Sequence, residues 1–461
     1  DPPFNTGKDG KQMLRFAMDQ ATRSRLLRKA KARMTVLRQQ VGRLTLFSTL
    51  NATIEFHPTD EMTATQLKWR RQLLQDLVAK LTRFNLEPLP NGSYGFAGNG
   101  YENMKRRIHY ALEAGKISED PGTVRKWQAA IEDIATPEGK YSGLEITPQF
   151  GLVPVGKNPR TGLWEFWHVL SGKEPLENPE WHPSQTPPAR GSCTANRWII
   201  AEETGVVFVL LPGGDSTQGA QAQEPAGPNY DPHANRDDEN PTKVTLAPFF
   251  LSKYELTQGQ WLRLAGDNPS SAKFPFLSAN IDDRHPVEQV NWNELTYTLA
   301  MVDLELPTEA QWEYGCRAGT RTPWWTGSTR TTLVGAVNLA DRTAAGYSRV
   351  WPTRDFPELD DGFFVHAPVG SFRANPFGLH DLHGNVAEWC RDDFTKYEVK
   401  ARAGDGLRVD PRVHRKMKQK VMRGGAFHNN PISARSANRL AAEPTMRYFS
   451  IGGRAARRIH R

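Results

Sequence analysis

Two hydrophobic rhythms divide this chain. Leu27, Ala30, Met34, Leu37, Val41 and Leu44 recur at alternating steps of three and four, the spacing of a coiled-coil seam or helical hairpin. Arg23, Arg25, Arg28, Lys29, Lys31, Arg33, Arg38 and Arg43 stand between them as a basic flank. After Pro58 and Asp60, Leu67, Leu74, Leu77, Leu81 and Phe84 predict a second helix, and Met104, Ile108 and Leu112 a third that stops at Gly115. A fourth begins near Ser118 to Pro121 and is expected to turn Val124, Trp127, Ile131 and Ile134 inward. Residues 1–136 therefore read as an all-helical domain.

From Tyr141 the rhythm changes to short apolar runs broken by glycine, proline and tryptophan. Leu144-Glu145-Ile146 and Gly162 to Trp167 are strand-like, and Pro175 to Pro188 is an extended, proline-rich arm. Residues 137–203 thus predict a small β-rich connector. Gly205 to Leu211 is a continuous apolar strand ending at Pro212-Gly213-Gly214, and it opens a third region, 204–461. There Thr308, followed three residues later by Gln311, predicts a helix opened by a capping box. The fold class is α+β. Trp292, Trp312, Trp324, Trp325, Trp351 and Trp389 are expected to build a core in a region with little regular structure, the alternative being a sugar- or peptide-binding face.

Composition narrows the class. The chain has 461 residues, 38% hydrophobic and 24% charged, which suits a globular protein of two or three domains. No run of eighteen apolar residues is present, so no membrane span is expected. The chain opens at Asp1 without a visible signal peptide, an upstream segment is expected, and the compartment stays open. A net charge of +8 spread over this length reads as a solvated basic surface, not a nucleic-acid site, because the basic stretch lacks interleaved aromatics. The three cysteines (Cys193, Cys316 and Cys390) show neither disulfide nor metal spacing.

The third region carries a series of ordered blocks. They are Val206 to Gly214, Phe249 to Thr257 with Gln260 and Trp261, His285-Pro286-Val287 with Val290-Asn291-Trp292, and Leu306-Pro307-Thr308-Glu309-Ala310-Gln311-Trp312-Glu313. Asn375-Pro376-Phe377-Gly378-Leu379, Gly384-Asn385-Val386-Ala387-Glu388-Trp389, Arg423-Gly424-Gly425, Ala434 to Arg439 and Ile451-Gly452 follow. In this order they resemble the formylglycine-generating, or sulfatase-modifying-factor, family of C-type-lectin-like domains. Ile146 to Gly156 and Gly162 to Phe166 are similar to a region preceding such a domain in large bacterial serine/threonine kinases. The chain itself has no glycine-rich nucleotide loop with its lysine, no HRD and no DFG.

The resemblance implies an enzyme that oxidises a protein cysteine with a copper-holding thiolate pair, since soft sulfur ligands suit Cu(I). In register, Asn429 and Ala434 stand where the two thiols belong, so neither copper nor catalysis is expected. An iron-dependent branch takes histidines from a preceding helical domain, but His57 and His109 are isolated here, so iron is not expected either. Calcium remains as a structural ion. The resemblance assigns one site to Asp381, Gly384, Val386 and Glu388, with Asp in place of the usual Asn, and a second to Asn338, Leu339, Asp361 and Phe363. The competing account is that these groups only cap turns.

The expectation is therefore a non-catalytic module that binds a protein or peptide ligand through His428, Asn429, Asn430, Asn438, Arg447 and Tyr448, as a sensor within a larger signalling protein. Two alternatives stay open. One is an oxidase acting on protein cysteine. The other is a retroelement-diversified receptor whose variable face lies within 428–450. Copies of the chain would associate through the N-terminal helices.

Overall fold

The structure, a computed structural model, describes residues 112, 114–184, 196–270, 281–345, 358–412 and 418–460. The chain divides into units Asp1–Leu86 and Glu87–Arg461, and every described residue belongs to the second. The basic seam of residues 27–44, the helix expected over 67–84, residues 104–111 of the third, His57, His109, Cys193 and Trp351 lie outside the described residues; the third helix does not stop at Gly115 as expected but continues to Glu119.

Helix α1 (Pro121–Ile134) opens as expected, with the Asp120 side chain accepting from Thr123 N and proline in the first turn. It buries Thr123, Trp127, Ala130 and Ile134. Val124, expected on the inner side, is 43% exposed, because the packed stripe passes through Thr123 instead. The Trp127 indole N–H donates to Leu152 O at 3.0 Å, which seats the helix on the first strand.

Strands β1 (Leu152–Lys157) and β2 (Trp164–His168) are followed by a two-stranded ribbon of β3 (Leu176–Glu177) and β4 (Trp198–Ile199). Then come β5 (Val207–Leu211), β6 (Gly214–Gln218), β7 (Thr242–Leu246) and β8 (Phe249–Ser252). Helices α2 (Gln258–Ala265), α3 (Trp292–Ala300), α4 (Glu309–Arg317) and the short α5 (Arg342–Ala345) precede β9 (Ala387–Asp393), β10 (Lys420–Arg423), β11 (Leu440–Ala442), β12 (Ile451–Gly452) and β13 (Ala456–Arg458).

One sheet has the order β1-β2-β5-β8-β13, antiparallel throughout. Strands β1 and β2, from the stretch read as a connector, thus extend the sheet that β5 centres, while β3 and β4 stay apart as the ribbon. Every residue of β5 is buried, as its unbroken apolar run requires of a central strand. Phe166, Phe208 and Phe250 stack edge-to-face across it, with centroids 5.1 and 6.4 Å apart. A second sheet, β11-β10-β9-β12, carries the glycine turn that follows β10. Mixed helix and strand is what the patterning predicted for this half. Trp312, Trp324 and Trp389 are core residues, as expected.

Helix α4 has the capping box read from sequence: Thr308 Oγ1 accepts from Gln311 N at 3.1 Å, and Gln311 Oε1 accepts from Thr308 N at 2.9 Å. Its Glu309 and Glu313, one turn apart, are buried and meet two arginines from elsewhere in the chain and one from the end of their own helix. Arg423 donates to Glu313 at 2.6 Å, Arg439 to Glu309 at 2.5 Å, and Arg317 to Glu313 at 2.8 Å. This network ties α4 to β10 and to the loop that precedes β11.

Candidate functional site

The turn after β10 is formed by Gly424 and Gly425 at φ of 94° and 71°, a backbone that L side chains rarely adopt. A Cβ on Gly425 would stand 3.1 Å from Ser433 O and 3.2 Å from Ala434 Cα. A side chain there would be both strained and crowded, and this close packing sets the two positions where the family resemblance puts thiols against the turn. Asn429 Oδ1 accepts from Ala426 N at 2.9 Å, so its amide closes the turn. Ala434 is fully buried beside Trp324, Leu333 and Leu339. Neither side chain offers a soft ligand. Cys316 and Cys390 are free and buried elsewhere, and burial pushes the Cys316 thiol up to about 12.

The predicted ligand residues separate into two groups. His428 and Tyr448 come together with Phe427 and Phe449 in one aromatic cluster. His428 lies 5.4 Å from Phe449 and 6.2 Å from Tyr448, and the Tyr448 and Phe449 rings are 4.3 Å apart. Tyr448 is 42% exposed and Met446 beside it 41%, so the cluster has a solvent face. Burial holds the His428 imidazole below its ordinary pKa, towards the neutral form. The others are already committed within the chain. Asn430 caps the turn of Pro431–Ala434 through Ser433 N at 3.0 Å, and Asn438 donates to Ser433 O at 2.8 Å. Arg447 pairs with Glu294 and donates to Gln289 O.

Beneath Phe427 lies a feature the sequence did not signal. His366 packs edge-on to Phe427 at 5.9 Å, and its Nδ1 meets His285 Nδ1 at 3.0 Å in the interior. Burial, then the neighbouring His285, depresses the His366 pKa to about 3, towards the neutral imidazole.

The second implied cation set assembles. Leu339 N and Phe363 N both donate to the Asp361 carboxylate, at 3.0 and 2.8 Å, and Asp361 N donates to Asp341. Burial, then the Asp341 carboxylate, push the Asp361 carboxyl well above its ordinary range. Asn338 spends its Nδ2 on Val365 O and Asn385 Oδ1, while its buried Oδ1 makes no hydrogen bond. Two adjoining carboxyl groups and an unused amide oxygen are the donor types a hard cation takes, so these residues fit calcium. The separation of 22 residues between Leu339 and Asp361 is closed by backbone donors. Asp341, which the sequence reading missed, is part of the same place.

The first implied set assembles only in part. Asp381 accepts from Gly370 N at 2.6 Å with Oδ2, and its Oδ1 has no hydrogen-bond partner. That side chain fits a cation. Glu388 does not: Arg454 donates to both of its oxygens, each at 2.7 Å, and the Trp312 indole adds a third bond at 2.9 Å. The Val386 N–H donates to Glu255, as does the Asn385 side chain, so Glu255 grips the loop. Gly384 pairs with Asn338 in a parallel bridge, which places the two implied sets side by side. Among the described residues no three His, Cys, Asp or Glu side chains form a metal-holding group, and each implied set relies on amide or carbonyl oxygen for the rest. No helix among them is long and apolar enough to cross a membrane.

A fold of two small sheets around a glycine turn, with these blocks in this order, defines a sulfatase-modifying-factor type of domain. The sulfatase-modifying factor enzyme 1-like domain family matches residues 201–459, more than half of the sequence, and the chain belongs to it. The formylglycine-generating enzyme of Thermomonospora curvata is 31% identical over 176 residues, which cover 36% of this chain and 52% of that one. The serine/threonine-protein kinase pkn1 of Chlamydia pneumoniae is 25% identical over 273 residues, 55% of this chain and 38% of the kinase. The chain therefore spans about half or less of these relatives. Among solved structures, PvdO of Pseudomonas aeruginosa is 26% identical with a TM-score of 0.43, covering 55% of this chain and 95% of that one.

Proposed function

We propose that this chain is a non-catalytic binding module built on the scaffold of its family, taking a protein or peptide ligand on the aromatic face of His428, Tyr448 and Phe449. The observation that carries this reading is the chemistry beside the glycine turn. Asn429 is consumed in closing the turn and Ala434 in filling the core, so no thiolate pair stands there to hold copper. The scaffold itself is intact, with calcium bracing the loop of Asn338, Leu339, Asp361 and Phe363. Similarity to a kinase over 55% of the chain supports a role as the sensing part of a larger signalling protein.

The catalytic alternative is tested directly. The full chain, loaded with Cu(I) under reducing conditions, is incubated with a cysteine-containing peptide and oxygen. The expected result is no stoichiometric copper and no aldehyde on the peptide. Copper bound one to one, or aldehyde formed at turnover, would refute the binding-module reading. The brace is tested separately: a calcium chelator lowers the melting temperature of the wild-type chain, and an unchanged melting curve removes calcium from the account.

A further inference from the structure

Most buried guanidinium groups in this protein face a carboxylate. Arg317, Arg423, Arg435 and Arg454 each meet one at 2.8 Å or less. Arg373 departs from that pattern. It is partly buried, and among the described residues it forms no ion pair. Its Nη2 donates to Thr332 O at 3.2 Å and to Val334 O at 3.1 Å, while its buried Nε has no hydrogen-bond partner. Burial lowers its pKa, and no neighbouring charge offsets that. Asp360 and Asp361 line a cleft with Val334 and Gly335, yet they accept from Thr343 and from Leu339 N and Phe363 N instead. A cation taken partly out of water without a counter-charge is costly.

The guanidinium stands on a fixed surface. Its carbon lies 5.8 Å from the Trp325 ring, itself partly buried against the cluster of Trp324, Leu333 and Ala434. Trp325 N donates to the buried His383 ring at 3.1 Å, which anchors the backbone that carries the indole. Val334 is 38% exposed, and Thr329 and Thr331 present hydroxyls 3.0 Å apart on the turn that carries Thr332. One cation, an apolar ring and hydroxyl groups thus share this part of the surface. Water would bring acceptors to the guanidinium but no charge, whereas a carboxylate brings both. We infer that Arg373, backed by Trp325, takes a carboxylate from the ligand, so that the bound protein or peptide carries an aspartate or glutamate there. This rests on the binding-module reading and adds the chemistry of what is bound.

The test is footprinting of the full chain with phenylglyoxal, which modifies accessible guanidinium groups, mapped by peptide mass spectrometry. A tetraglutamate peptide should slow modification of Arg373 by about threefold or more and leave the exposed Arg321 unchanged. A tetraglutamine peptide should protect neither. Equal protection of both arginines by tetraglutamate, or none at Arg373, would overturn the inference. This arm needs no variant, so it stands even if a substitution disturbs folding. In a second arm, peptides selected on the wild-type chain are offered to variants. Arg373→Gln should lower their capture about tenfold, and Arg373→Lys, which keeps the charge, should recover part of it. Capture that needs His428 and Tyr448 but is unchanged in Arg373→Gln would sink the acidic-ligand inference and leave the binding module standing. If no peptide is captured at all, the module reading fails, and the footprint still decides whether Arg373 takes a carboxylate.

Discussion

Arg423 is the residue whose loss should cost this fold most. Its guanidinium is fully buried and donates to the Glu313 carboxylate at 2.6 Å, to Ser436 O at 2.7 Å, and to Ala437 O and Asn438 O at 2.9 Å each. Arg423→Met keeps most of the volume and removes every one of these bonds. Glu313 retains Arg317 and the Gly219 N–H, so it is not stranded outright. Breaking one side of a buried pair nonetheless costs about 3–5 kcal/mol, and three carbonyls lose a donor besides. A loss of about 4 kcal/mol, with a urea m-value near 3 kcal/mol/M, lowers the unfolding midpoint by about 1.3 M. Tryptophan fluorescence reads the transition, since Trp312 lies 5.2 Å under the guanidinium. Adding Glu313→Gln to Arg423→Met should recover part of the loss, because the second charge no longer needs a partner. A shift below about 1 kcal/mol for Arg423→Met would refute the claim that this network holds α4 against β10.

Three further outcomes follow from the geometry. Burial raises the cost of ionising Glu165, yet Lys253 and Arg197 hold its carboxyl below the ordinary range, so its contribution is present above the unfolded pKa of about 4.3 and fades as pH falls through the lower folded value; Glu165→Gln should therefore destabilise the chain clearly at pH 7 and progressively less in acid, and urea melts across pH check this. Tyr448→Ala and His428→Ala, on the solvent face of the aromatic cluster, should reduce capture of peptides selected on the wild-type chain by about tenfold while moving the melting temperature little, a loss of about 1.4 kcal/mol of binding. Asn429→Cys with Ala434→Cys should confer stoichiometric Cu(I) binding measured by competition with a chromogenic chelator, since the glycine turn already brings both positions together; a double variant that takes no copper means the register is wrong.

What could be read from the sequence was local. The Thr308–Gln311 box, the unbroken apolar run of β5 and the Asp120–Pro121 helix start each lie within one turn or one strand, and each appears where the residues dictate. The partners that decide the site are remote. Glu255 reaches Val386 across 131 positions, Arg454 reaches Glu388 across 66, and no spacing rule joins them. That is why Glu388 was expected to be a cation ligand and is instead locked to a guanidinium and an indole. The amides of Asn429, Asn430 and Asn438, expected to meet a ligand, bond their own stretch of backbone instead. The rings of His428 and Tyr448 do meet, because each is followed or preceded in sequence by a phenylalanine, and Phe427 and Phe449 pack 5.8 Å apart.

The sheet's order has a practical corollary for anyone excising the family domain. Glu165 on β2 receives Lys253 Nζ at 2.7 Å, Arg197 at 3.2 Å and the Trp198 indole at 2.6 Å, all in the interior. A fragment cut at residue 201 would keep the lysine and discard its counter-charge, stranding an ammonium in an apolar wall. It would also convert β5, apolar on both faces, from the middle of a sheet into a bare margin, the geometry that recruits other chains into aggregates. Fragments meant to stay monomeric should begin ahead of α1.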